Sequence, residues 1–144
     1  MSDEETRERL VADAAVAMMG VSRRLSERGF HADRVRSELS PQDTLILRLL
    51  QESPGSTPKQ IGERLGLRTS NTSAALRSLE ERDLIRREPD ATDGRIVHVY
   101  HSEAAGSALR RIRREMADIL APIDLTNAEL ERLVAACKQI LDRD

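Results

Sequence analysis

Apolar residues recur along most of this chain at intervals of three and four. Between residues 4 and 28 the positions Leu10, Ala14, Ala17/Met18, Val21 and Leu25 keep a 3.6-residue period, which predicts an amphipathic helix ending near Gly29. Residues 29–39 read as a connector. Ser40-Pro41-Gln42-Asp43 then opens a second helix, with serine as cap, proline at the first helical position and an acid three residues after the cap. Leu45, Ile46, Leu49 and Leu50 are expected on its buried face, and Ser53-Pro54-Gly55-Ser56 ends it. Thr57-Pro58-Lys59-Gln60 repeats the device for a short third helix that buries Ile61 and Leu65, with Gly66 as a left-handed exit. A fourth helix is predicted over 69–82, its inward positions being Thr72, Leu76 and Leu79 with Ala75 beside them.

The pattern then changes. Leu84-Ile85 begins a strand, Pro89 to Gly94 is rich in turn formers, and the β-branched run Ile96–Tyr100 reads as the returning strand. Ser102 caps a fifth helix with Leu109, Ile112, Met116, Ile119 and Leu120 on one side. A break at Pro122 precedes a sixth, capped by Thr126 or Asn127, which carries Leu130, Leu133/Val134, Cys137 and Ile140/Leu141. The expected fold is mainly α with a small β-wing, in a single domain spanning 1–144.

Composition narrows the chemistry. Phe30 and Tyr100 are the only aromatic residues, so the core must be aliphatic and base stacking on single strands is not expected. The formal net charge is −2, yet residues 56–87 hold seven bases (Lys59, Arg64, Arg68, Arg77, Arg82, Arg86, Arg87) against four acids (Glu63, Glu80, Glu81, Asp83). That local +3 leaves −5 on the remainder, the footprint of a phosphate-facing patch on an acidic body, though a weak signal alone. The acidic, polar start and the lack of a long apolar run predict no signal peptide and no membrane partner, and by elimination a cytoplasmic protein. One cysteine, Cys137, excludes a disulfide framework, and no metal or other cofactor is expected.

The segment Thr57–Arg95 carries the functional information. A short helix, a glycine turn and a longer helix form a helix-turn-helix, whose second helix enters a DNA major groove. With Thr72, Leu76 and Leu79 inward, Ser70, Ala74 and Arg77 point outward, flanked by Asn71 and Ser73. Short polar side chains there suit base edges, Thr69 and the helix-terminal amides suit phosphate, and Arg77 suits the backbone. Lys59 and Arg68 are further backbone candidates. The following hairpin reads as a wing whose DNA-binding candidates are Arg86 and Arg87 on its first strand and Asp93-Gly94-Arg95 at its loop. Arg95 is placed to enter a narrow minor groove, with Asp93 orienting it through an ion pair. The plainer alternatives are an ordinary helical hairpin with a solvated face and an exposed Asp-Gly turn.

Residues 40–106 resemble the MarR family of bacterial transcription regulators. Arg68-Thr69-Ser70-Asn71-Thr72-Ser73 stands where that family carries Ser-x-Ser-Thr-Val-Ser, and Leu79-Glu80-Glu81-Arg82-Asp83-Leu84-Ile85 matches its Leu-Glu-Glu-Arg-Gly-Leu-Val. Asp90, Asp93 and Arg95 fit the wing pattern Asp-x-x-Asp-x-Arg, and Ser102 and Gly106 fit the opening of the next helix, with His101 where leucine is usual. Arg68, Asn71, Ala74, Asp83 and Thr92 depart from the family's choices. Thr69 or Ser70 is therefore expected to cap the fourth helix, Asp83 to take the left-handed exit, and Arg95 to be the main minor-groove residue. The resemblance implies a winged helix-turn-helix over 40–101 flanked by dimerisation helices at 4–30 and 102–142. It also implies a homodimer on palindromic double-stranded DNA, with half-sites roughly 34 Å apart, acting as a repressor and releasing DNA when a small-molecule effector binds.

Other residues carry weaker signals. Cys137 offers a redox-responsive alternative, but its place on an apolar stripe predicts a buried, inert thiol. His98 and His101 could share a metal or sense pH; lacking a third ligand, they read as solvated or packed. Met18-Met19 reads as core filling. The alternative from another class is a winged helix used for protein contact without DNA. No nucleophile–base pair supports an enzyme.

Overall fold

The computed structural model describes residues 2–29 and 39–142. In order these form α1 (Asp3–Gly29), α2 (Pro41–Glu52), α3 (Pro58–Leu65), α4 (Thr69–Glu81), β1 (Ile85–Pro89), β2 (Val97–His101), α5 (Glu103–Leu120) and α6 (Asn127–Leu141). The predicted connector lies almost wholly outside the described residues.

Local chemistry sets the starts and stops. Ser40 and Thr57 each accept a bond from the third residue of their helix, and Asp43 and Gln60 return one to the cap's own N–H, closing two capping boxes with proline just inside. Thr126, rather than Asn127, does the same for α6 with Glu129, and the hydrogen bonds from Thr126 hold the Glu129 carboxyl below its ordinary pKa. Gly66 (φ 62°) ends α3 and Asp83 (φ 56°) follows α4, both left-handed as their positions predict. Asp83 is the only non-glycine with positive φ among the described residues. Gly94, by contrast, does not adopt positive φ. The predicted cap of α4 is absent. Helix α4 begins at Thr69, Arg68 occupies the cap position, and no side chain caps it, so neither Thr69 nor Ser70 takes that role.

One aliphatic core lies under α2, the helix that meets α3, α4, α5 and β2. Ile46, Leu47, Leu50, Ile61, Leu76, Leu79 and Val99 are completely buried in it. The predicted face of α2 is rotated slightly. Leu45 is 54% exposed and Leu47 fully enclosed, because α2 is covered on several sides and its buried arc is wider than a one-sided stripe. Burial on α5 likewise shifts toward its start, at Ala105, Ala108, Leu109 and Ile112, while Leu120 is exposed.

β1 and β2 pair antiparallel, with Arg87 opposite Val99 and Glu88 opposite His98. The turn after α2 adds a third, very short partner. Gly55 N–H donates to the Val99 carbonyl (3.0 Å) and Val99 N–H to the Ser56 carbonyl (3.1 Å). Gly55 has φ 81°, and a Cβ there would lie 3.0 Å from the Tyr100 hydroxyl, so both conformation and space call for glycine.

The outer helices differ from the core. α1 packs on α5, yet leaves Val11, Val16 and Met19 more than half exposed, so Met18-Met19 is not core filling within the single chain. α6 buries no residue and is tied to α2 by Lys138 Nζ–Glu52 Oε1 at 3.7 Å; Cys137 is half-buried rather than enclosed. Among the described residues no helix is long and apolar enough to cross a membrane.

Candidate nucleic-acid interface

α3, the Gly66 turn and α4 form a helix-turn-helix, held at close approach by one glycine. A Cβ on Gly62 would sit 3.0 Å from Thr72 Oγ1 and 3.3 Å from the Leu67 carbonyl. Thr72 is buried and satisfies its hydroxyl on the Arg68 carbonyl (3.2 Å). Gly62→Val is therefore expected to cost about 1–3 kcal/mol by overpacking the helix crossing. An unmoved urea midpoint would contradict that.

α4 separates its faces cleanly. Thr72, Leu76 and Leu79 are buried, and Ser70, Ala74 and Arg77 are exposed opposite them, as the periodicity predicts. Asn71 and Ser73 flank this row on different sides. Asn71 and Ala74 border a groove shared with Gln42 at the start of α2, while Thr69 and Ser73 border one shared with Lys59 and Gly62 of α3. Gln42 carried no sequence signal for this placement, since only the packing of α2 beside α4 brings it there. Lys59 makes an exposed pair with Glu63 at 3.8 Å, a geometry that holds it weakly. The side chains of Arg68 and Arg77 are exposed, and neither makes an ion pair or hydrogen bond among the described residues.

The arginines of the wing differ from one another. Arg86 donates to Glu88 (2.7 Å) and lies 4.8 Å over the Tyr100 ring, and Arg87 pairs with Glu80 of α4 (3.0 Å). Both are thus engaged in fastening the hairpin. Arg95 is exposed at the loop, and its guanidinium makes no ion pair or hydrogen bond among the described residues. The expected Asp93–Arg95 ion pair does not form. The Asp93 carboxylate instead accepts the Arg95 backbone N–H at 3.0 Å, because a two-residue offset in a tight loop favours that bond over a side-chain reach.

Asp90 organises the loop. One carboxylate oxygen accepts from Thr92 N–H (2.8 Å), Thr92 Oγ1 (2.7 Å) and Asp93 N–H (3.1 Å). The other faces His98 Nε2 at 2.9 Å, and His98 Nδ1 lies 2.7 Å from the Gly55 carbonyl. The hydrogen bond from His98, with those from Thr92 and Asp93, holds the Asp90 carboxyl far below the ordinary carboxylate range. The Asp90 bond, followed by the Gly55 carbonyl and the charges of Asp90 and Glu88, raises the His98 pKa against a smaller opposing effect of burial. His98 is therefore a packed histidine, held through both ring nitrogens. His101, three residues along the chain, bonds the Ser102 carbonyl (2.9 Å) and does not join it; no group of His, Cys, Asp or Glu suited to a metal exists among the described residues.

A second tie anchors α4 at its far end. Asp43 Oδ2 accepts from the Ser40 N–H (2.9 Å) and from Arg82 Nη2 (2.9 Å), so a single carboxylate caps α2 and holds the end of α4.

A helix-turn-helix followed by a two-stranded wing is the winged helix-turn-helix architecture. The model of the MarR family matches residues 37–96. The transcriptional regulator BldR from Sulfolobus solfataricus is 23% identical, with 96% of this chain and 99% of that chain covered at a TM-score of 0.70. FabT from Streptococcus pneumoniae, solved in complex with DNA, is 16% identical over 92% of this chain and 94% of its own, at a TM-score of 0.69. The PcaV regulator from Streptomyces coelicolor, solved with its natural ligand, is 25% identical over 85% and 89%, at a TM-score of 0.60. No curated protein matches the sequence. The chain thus carries a segment that matches the MarR family over residues 37–96, in a fold shared with solved transcriptional regulators.

Proposed function

We propose that this regulator is a repressor that binds a palindromic operator as a homodimer. The reading unit spans 40–101, and α1, α5 and α6 form the dimer. The observation that carries this reading is a division of labour: an exposed polar row on α4 beside a wing whose Arg95 guanidinium makes no ion pair or hydrogen bond among the described residues, while Arg86 and Arg87 serve as fastenings. Ser70, Asn71, Ser73 and Ala74 face base edges, and Arg77, Thr69, Arg68 and Lys59 hold phosphates, aided by the uncapped amides of α4. Arg95 enters the minor groove, on a loop shaped by Asp93 and Gly94.

Dimerisation is supported by the apolar surface left open at both ends of the chain. Leu133, Val134, Ile140 and Leu141 of α6 are 46–72% exposed, and Val16 and Met19 of α1 are 70% and 73% exposed. Such a stripe on a single chain marks an interaction surface. Small-molecule release is the further part of the reading, supported by PcaV having been solved with a ligand. A ligand that prefers one spacing of the two reading units shifts the protein away from DNA by its differential affinity alone.

Selection of duplexes from a random pool, followed by affinity measurement across salt concentrations, tests the DNA reading. The expected result is a steep fall in affinity with salt, at a log–log slope of about −0.9 per phosphate neutralised. A flat or absent response would favour a protein-contact role instead.

A further inference from the structure

Both ring nitrogens of His98 face oxygen acceptors, the Gly55 carbonyl at 2.7 Å and the Asp90 carboxylate at 2.9 Å. A neutral imidazole has one N–H and one lone pair, so it satisfies one of these oxygens and repels the other. Only the imidazolium donates to both. The two acceptors lie on different parts of the fold. Gly55 belongs to the turn between α2 and α3, which pairs with β2, and Asp90 begins the wing loop.

We propose that protonated His98 is a positioning residue for DNA binding, a clamp that locks the wing loop to the body of the reading unit and thereby presents Arg95. This rests on the DNA reading above. The chain of contacts is continuous. His98 holds Asp90, Asp90 holds the backbone at Thr92 and Asp93, and Asp93 holds the Arg95 N–H. The loop is closed behind them by Asp90 N–H to the Ile96 carbonyl and Ile96 N–H to the Asp93 carbonyl, each 2.9 Å.

The charges around the ring favour the imidazolium. Asp90 bonds the ring directly and Glu88 stands opposite His98 on β1, the latter already paired with Arg86. The helices packed on β2 hold their charges in other contacts: Asp43 with Arg82, Arg48 with Glu52, Lys59 with Glu63, and Arg64 with Ser53 Oγ at 2.8 Å. The sign of the pH dependence follows. Because folding raises the His98 pKa, its contribution is complete below the ordinary histidine value of about 6.5 and is lost as pH rises through the raised value. Because Asp90 is depressed, its contribution is complete above the ordinary carboxylate value and fails only in strong acid. The clamp is closed between these limits, and its edge near neutrality is the alkaline one.

Two measurements decide it. In the free wild-type protein, ring nitrogen NMR should show His98 doubly protonated at pH 6, and amide exchange at Arg95 should quicken as the ring titrates. On a selected duplex at fixed salt, wild-type affinity should weaken by about fivefold or more from pH 6 to pH 9. His98→Gln and the loop variant Asp90→Asn should both be pH-flat at the weak level, and His101→Gln should keep the wild-type profile. A singly protonated His98 at pH 6, or a wild-type pH profile in both His98→Gln and Asp90→Asn, overturns the proposal. If no duplex is bound at any pH, the DNA reading falls, and the NMR and exchange results still decide whether the clamp exists.

Discussion

Truncating Leu76 to alanine is expected to remove about 2–5 kcal/mol of stability, the range for emptying an enclosed leucine site. Leu76 is completely buried at the middle of the inner face of α4, in the same core as Leu50 of α2, Ile61 of α3 and Val99 of β2. The elements that surround it are fixed independently, α2 and α3 by capping boxes and β2 by pairing on both edges, so they cannot close readily over the void. Urea titration at fixed protein concentration measures the loss, with concentration held constant because an associating protein gains stability from its partner. A loss below about 1 kcal/mol would mean that the helix-turn-helix relaxes around α4 far more than this packing implies. Leu45 supplies the contrast, because at 54% exposure its truncation should cost little.

Arg95→Ala should weaken operator binding by about 1–3 kcal/mol, roughly 5- to 150-fold, without moving the unfolding transition. The separation of the two effects is what makes the experiment informative. Arg95 is exposed and its guanidinium makes no ion pair or hydrogen bond among the described residues, so removing it leaves none of their polar groups unpaired in the free protein. Arg86→Ala and Arg87→Ala should behave differently, since each breaks a contact that fastens the hairpin, to Glu88 and Tyr100 or to Glu80. Unchanged affinity of Arg95→Ala in a mobility or anisotropy assay would remove the wing from the proposed interface.

The features legible in the sequence are those written within a few residues of one another. Both proline-led capping boxes, the left-handed exits at Gly66 and Asp83 and the inward face of α4 follow from local pattern, because each bond or face is set by offsets of three or four residues. What was not legible is set by distance along the chain. Asp43 reads as a cap, but its bond to Arg82 spans 39 residues. His98 reads as solvated or packed, with no named partner, because Gly55 lies 43 residues away and Asp90 enters only as part of the wing pattern. The charge count over 56–87 likewise treats its arginines alike, whereas contacts to Glu88 and Glu80 set Arg86 and Arg87 apart from Arg77, whose side chain makes no ion pair or hydrogen bond among the described residues. Leu45 and Leu47 exchange places because α2 is enclosed by several elements, which a one-sided periodicity does not represent.

The clean partition of α4 has a consequence for how such a protein changes over generations. Thr72, Leu76 and Leu79 carry the packing, while Ser70, Asn71 and Ala74 carry none of it. On the proposed DNA reading, drift at the second set alters which operator is recognised while the first set keeps the chain foldable. A duplicated copy is free to acquire a new target by small steps, each of them a folded protein.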